Sequence, residues 1–168
     1  MGRIVLKLAI VALAAACAKP LPTVNVTESF KREQADFINE PGIGSIYAHA
    51  VARQRDGTPR TCAGLEAALI PVTDYATWRM LTIYGSSTRG RTDVKPSFQF
   101  SSTDPGYLSM MRRVTCDAAG YAEFKNVSDG DYYVVVGIQW EVPNLGTQGT
   151  SFMGQVSVKD GQRVEVIL

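Results

Sequence analysis

The chain has 168 residues, with seventeen Lys and Arg against sixteen Asp and Glu and a single His. So even a balance gives no electrostatic footing for nucleic acid, and one His beside three scattered cysteines gives no zinc-ligand spacing. No cofactor motif stands in the sequence, so neither a cofactor nor a metal is expected.

At the amino end, Arg3 and Lys7 precede an unbroken apolar run from Leu8 to Ala16. This is the grammar of an export signal. Nine apolar residues fall short of the ~20 that span a bilayer, so residues 1–16 read as a leader that is cut away. The sequence Leu13-Ala14-Ala15-Ala16-Cys17 resembles the lipobox of bacterial lipoproteins. That resemblance implies that the Cys17 sulfur receives a diacylglycerol, that cleavage falls before Cys17, and that the new amino terminus is acylated, with palmitate a usual chain. Each buried methylene contributes ~0.8 kcal/mol, so several chains hold a protein on a membrane where one does not. Ala18 stands where an Asp would retain a lipoprotein at the inner membrane, which implies an outer-membrane address facing the periplasm or the cell surface. A plain secretory cut after Ala16 or Ala18 is the alternative.

Removing the leader leaves 152 residues, enough for one domain with a sizeable core, and a formal charge near −1. In an oxidising compartment, with Cys17 taken by lipid, Cys62 and Cys116 are expected to pair as a disulfide. Two separate buried thiols are the alternative.

Residues 17–43 carry Pro20, Pro22, Pro41 and Gly42 without a strand pattern and read as a lipidated tether. Within them, Phe30, Phe37 and Ile38 allow a short helix from about Glu28 to Asn39, packed on the domain or on a partner, or left as a solvated spacer. From Gly44 to Leu168 short apolar runs alternate with turn residues, the signature of an all-β domain. Expected strands are Ser45–Arg53, Gly64–Ile70, Leu108–Cys116, Gly120–Val127 and Asp131–Val142, with Phe98–Ser101 weaker. In Asp131–Val142, Tyr132, Val134, Val136, Ile138, Trp140 and Val142 recur at every second position, which builds one buried face. Its period makes Trp140 core.

Two last strands carry Phe152, Val156, Val158 and Val164, Val166, Leu168. Between them, Asp160-Gly161 supplies the positive backbone angles of a tight hairpin turn, so they are expected to pair antiparallel. Tyr75, Trp78 and Leu81 fall at helical spacing after Asp74, a candidate cap. About seven strands and one or two short helices result, an antiparallel β-sandwich.

The stretch Asp117-Ala118-Ala119-Gly120-Tyr121-Ala122-Glu123-Phe124-Lys125-Asn126-Val127-Ser128-Asp129-Gly130-Asp131-Tyr132 resembles the D-x-x-G-x-F-x-F-x-x-V-x-x-G-x-Y pattern of carboxypeptidase regulatory-like domains, which are transthyretin-like sandwiches. Gly44-Ser45-Ile46-Tyr47-Ala48-His49-Ala50 and Thr61 to Pro71 are similar to that family's first two strands. The resemblance implies a folding motif: Gly120 and Gly130 open turns, while Phe124, Val127 and Tyr132 face inward. It also implies an accessory module rather than an enzyme.

The residues point the same way, because His49 has no H-x-H or H-x-x-E partner and reads as a half-exposed strand side chain. Gly85-Ser86-Ser87-Thr88-Arg89-Gly90-Arg91 lacks the Lys-Ser ending of a phosphate loop. Two segments remain as candidate binding loops, the polar stretch Ser86–Gly106 and the Gly-containing Pro143–Thr150 beside Trp140. The expectation is a non-enzymatic, lipid-anchored envelope module, structural or binding, with the membrane and possible envelope proteins as partners. A carbohydrate-binding or adhesive domain is the alternative, and it asks for Tyr75, Trp78, Tyr84 and Tyr107 clustered at the surface.

Overall fold

The computed structural model describes residues 19–168, so the leader and Cys17 lie outside the described residues. Two short 3-10 turns, Arg32–Gln34 and Asp36–Asn39, follow the first of twelve strands and precede the second. In chain order the elements are β1 (Thr23–Val24), β2 (Gly44–His49), β3 (Ala52–Arg53), β4 (Pro59–Arg60), β5 (Glu66–Pro71), α1 (Asp74–Tyr84), β6 (Arg89–Asp93) and β7 (Gln99–Phe100). They continue with α2 (Pro105–Ser109), β8 (Arg112–Thr115), β9 (Tyr121–Val127), β10 (Gly130–Val142), β11 (Gly146–Val158) and β12 (Arg163–Ile167).

Two sheets face each other, an antiparallel one in the order β6-β11-β10-β5-β8 and a smaller one in the order β12-β2-β9. The described residues form an all-β sandwich with two short helices. Alternation explains the layers. The even-numbered residues Tyr132, Val134, Val136 and Ile138 of β10 are fully buried against Ile46, Ala48, Ala122 and Phe124 of the smaller sheet. The odd-numbered Tyr133, with Met153 of β11, faces the other way and packs with Tyr75, Ala76 and Met80 of α1. The larger sheet is therefore buried on both faces, and its central strand reads as the near-continuous run that such burial requires.

The turn motif behaves as its residues predict. Asp117 Oδ1 accepts hydrogen bonds from the backbone N–H groups of Ala119 and Tyr121, each at 2.9 Å. Gly120 takes φ +85° beside Thr61, and Phe124, Val127 and Tyr132 are fully buried. Cys62 and Cys116 form a disulfide with Cα atoms 5.8 Å apart, joining the segment before β5 to the end of β8.

Several expectations change, and the strand expected over Leu108–Cys116 starts only at Arg112, because Pro105–Ser109 is helical. Residues 23–43 do not form a free tether: β1 pairs with β7, Ala35 and Ile38 are buried, and the Phe37 ring meets Tyr132 edge-on at 5.3 Å. Their apolar side chains find the edge of the core, which a run broken by prolines does not disclose. The cap of α1 is Thr73, whose hydroxyl accepts from Ala76 N at 3.0 Å, and Asp74 is the first helical residue. Its carboxylate there still complements the helix dipole.

The polar stretch Ser86–Gly106 is structured, since β6 is the edge strand of the larger sheet and α2 begins at Pro105. Lastly, Asp160 and Gly161 do take positive φ, 53° and 63°, but their turn carries the chain to the opposite sheet. There β12 pairs in parallel with β2. Alternation fixes that Val164, Val166 and Leu168 face the core; it does not say from which sheet.

Candidate functional site

Strands β10 and β11 have thirteen residues each, whereas β2 has six. At about 3.3 Å per residue the long hairpin outruns the smaller sheet, so the side chains past Ile138 overhang the sandwich. The short β3–β4 hairpin reaches back toward this overhang. A cleft of about 510 Å³ opens between them, lined by Arg53, Gln54, Arg55 and Asp56 on one side and Trp140 to Pro143 with Gln148 to Thr150 on the other.

Trp140 is half-buried, packed on the inter-sheet core and also lining the cleft. Its period places it on the core face correctly, but no strand of the smaller sheet covers it. With the Gln54 amide oxygen turned toward them, the indole N–H donates at 3.0 Å and Arg60 Nε at 3.3 Å. The indole is thereby held in place by the opposite hairpin. Around it the charges are mixed, with Arg53 and Arg55 against Asp56, Asp93 and Glu141. The Asp56 carboxyl is held below its ordinary value by the Thr58 backbone N–H and then by the Thr58 hydroxyl.

Both loops singled out from the sequence meet here. Asp93 pairs with Thr150 across β6 and β11, Val94 N donates to Gly149 O at 3.3 Å, and Lys95 Nζ donates to Leu145 O at 3.3 Å. Asn144 and Gly146, with φ of 64° and 67°, turn the hairpin tip so that Leu145 sits exposed on the rim. Arg53, Arg55, Asp56 and Gln54 were not legible as site residues, because β3 and β4 are two-residue strands without apolar alternation.

The four aromatics that the carbohydrate-binding alternative asks to find clustered at the surface divide instead. Tyr75 and Tyr107 are only 2% and 4% exposed, so the four do not form a surface platform. Burial pushes the Tyr107 phenol up to about 12, against the opposing pull of Arg79. Burial likewise raises Tyr84 and Tyr132, opposed by hydrogen bonds from Ser151 and Ser128 respectively. Tyr84 and Trp78 are half-buried.

His49 stacks on Tyr121 with ring centres 4.5 Å apart, on the outer face of the smaller sheet. The shallow depression there also holds Tyr47, Asp117, Arg163 and Glu165, and its lining contains no Ser, Thr or Cys. Arg163 lies over the Tyr47 ring at 4.0 Å and pairs with Glu165 at 2.9 Å. Among the described residues no group of three or more His, Cys, Asp or Glu is placed to hold a metal ion, and no helix is long and apolar enough to cross a membrane.

No protein-family model and no curated protein matches the chain. Among solved structures, a proposed carbohydrate-binding protein from Pseudomonas aeruginosa matches 84% of this chain and 97% of its own, with a TM-score of 0.69 and 22% identity. The two share a fold.

Proposed function

We propose that this chain is a non-enzymatic, lipid-anchored module of the bacterial envelope that binds carbohydrate in the Trp140 cleft. The observation that carries this reading is the cleft itself: an indole pinned by Gln54 beside polar and charged side chains of both signs. An aromatic ring covers the apolar face of a sugar, and surrounding amides, carboxylates and guanidinium groups bond its hydroxyls. Charge of both signs in near balance favours a neutral, hydroxyl-rich ligand over a strong anion. The fold shared with a proposed carbohydrate-binding protein supports the same reading.

The anchor and the address rest on the leader and Cys17, which imply an acylated protein at the outer membrane facing the periplasm or cell surface. The kinship with carboxypeptidase regulatory-like, transthyretin-like domains rests on Gly120, Phe124, Val127, Gly130 and Tyr132. Their positions in turns and core fit the family's pattern. Isothermal titration of the purified domain with neutral and N-acetylated mono- and disaccharides tests the binding. Heat of binding that Trp140→Ala removes is the expected result, and no heat from any sugar contradicts the proposal.

A further inference from the structure

The far side of the larger sheet has a second opening that the helix does not fill. Gly137 on β10 sits where the odd-numbered face runs past α1, and a Cβ built there would meet nothing within 4 Å. This bare floor lies in a groove of about 350 Å³ walled by Tyr84, Phe98 and Phe100, with Ser151 beside it. Tyr84 Oη and Ser151 Oγ are 2.8 Å apart, which fixes one wall. The Phe98 and Phe100 rings meet edge-on at 5.3 Å, which stiffens the other. Both this groove and the Trp140 cleft fall within the ~300–1,000 Å³ of small-molecule sites.

The two openings are connected around the end of β6. Register puts Asp93 opposite Thr150 and Thr92 opposite Ser151. Side chains alternate across a strand, so Asp93 and Thr150 share the Trp140 face while Thr92 and Ser151 share the Gly137 face. A third depression, lined by Arg91, Thr92, Asp93 and Thr150, bridges them. Asp93 lines all three. As the last residue of the edge strand it has no strand beyond it, and among the described residues no hydrogen bond or ion pair engages its carboxylate.

We infer that the ligand is an extended oligosaccharide that runs from the Trp140 cleft past Asp93 into the Gly137 groove, rather than a single sugar. This rests on the carbohydrate reading of the Trp140 cleft and extends it. Aromatic rings stand at both ends of the path and a free carboxylate at its middle, the spacing of features that a chain of rings joined by polar linkages meets. A strand residue without a side chain leaves room for one such ring against the sheet.

Gly137 makes the test clean. Its φ is not in the left-handed region and its Cβ direction is open, so Gly137→Val fills the groove floor without disturbing the fold, and a β-branched residue suits the strand. The probes are N-acetylglucosamine oligomers and β-linked glucose oligomers of one to six units, titrated into wild type, Gly137→Val and Trp140→Ala, with melting temperatures measured alongside. The inference expects wild-type affinity to rise about tenfold or more between the disaccharide and the longest chain. Gly137→Val abolishes that rise while leaving the disaccharide's affinity and the melting temperature unchanged. Equal affinity for short and long chains, or a rise that survives Gly137→Val, overturns the extended path even where Trp140→Ala still abolishes disaccharide binding. Absence of binding by every oligomer overturns the carbohydrate reading and the path together.

Discussion

Lys95 Nζ donates to the carbonyl oxygen of Leu145 at 3.3 Å, joining residues fifty positions apart. The contact clamps the loop after β6 to the tip of the β10–β11 hairpin, and it sets the rim between the Trp140 cleft and the Gly137 groove. Lys95→Ala frees the tip from one anchor. Hydrogen exchange at Leu145 and Gly146 should quicken in the variant while exchange in Val134 and Val136 holds, and uniform exchange in both proteins would deny the clamp its role.

The disulfide between Cys62 and Cys116 closes a loop of 54 residues. Loop-closure entropy gives such a link about 4 kcal/mol, an upper value because strain and residual unfolded structure reduce it. Replacing both cysteines with Ala should therefore lower the urea midpoint and the melting temperature by an amount equivalent to about 2–4 kcal/mol. Backbone bonds between Gly64 and Cys116, and between Cys116 and Leu65, keep the two segments together in the variant, so the native fold survives. An unchanged midpoint would mean that the bridge contributes nothing.

Phe37 joins the amino-terminal segment to the core through Tyr132 and lies against Gly130, where a Cβ would come within 2.3 Å of its ring. Truncating it opens a cavity at the foot of β10. Phe37→Ala should cost about 2–4 kcal/mol of stability in chemical denaturation. A loss under about 0.5 kcal/mol, typical of exposed positions, would mean that residues 23–43 are only draped on the sandwich.

Stability should fall at alkaline pH. Tyr107 keeps its proton to about pH 12 when folded, against an ordinary value of 10.0. Below pH 10 both states are protonated and the contribution is intact; between 10 and 12 only the unfolded phenol ionises, which draws the protein toward unfolding. Two units correspond to roughly 2–3 kcal/mol. Urea midpoints at pH 9 and pH 11 check this, with Tyr107→Phe expected to shrink the drop and an undiminished drop counting against it.

The anchor is tested by fractionation. Cys17→Ser should move the protein from the membrane fraction to the soluble one, and mass spectrometry of the wild-type amino terminus should find it acylated. Unchanged partitioning would contradict the lipid.

What could be read from the sequence follows from which patterns carry period. Strand β10 was legible because its apolar residues alternate over a full strand, and the Asp117–Tyr132 motif because its glycines and inward residues each do one local job. Strand β6 was not, since Arg89-Gly90-Arg91-Thr92-Asp93 lies on an edge and buries almost nothing. The partner of β12 was not either, because an Asp-Gly turn fixes a local reversal and the core-facing alternation of Val164, Val166 and Leu168 would serve either sheet. Trp140 shows the limit for the site. Its face was readable, but its exposure depends on β10 outrunning β2, a difference in strand length that belongs to the assembled sandwich.

The most direct measurement is nuclear magnetic resonance of the protein labelled with 15N at its two tryptophans, Trp78 and Trp140, with the indole signals assigned through Trp140→Phe. Titration with neutral and N-acetylated disaccharides should shift the Trp140 indole N–H, which bonds Gln54 at the cleft wall, in a saturable manner. A Trp140 signal that no sugar moves would contradict the account.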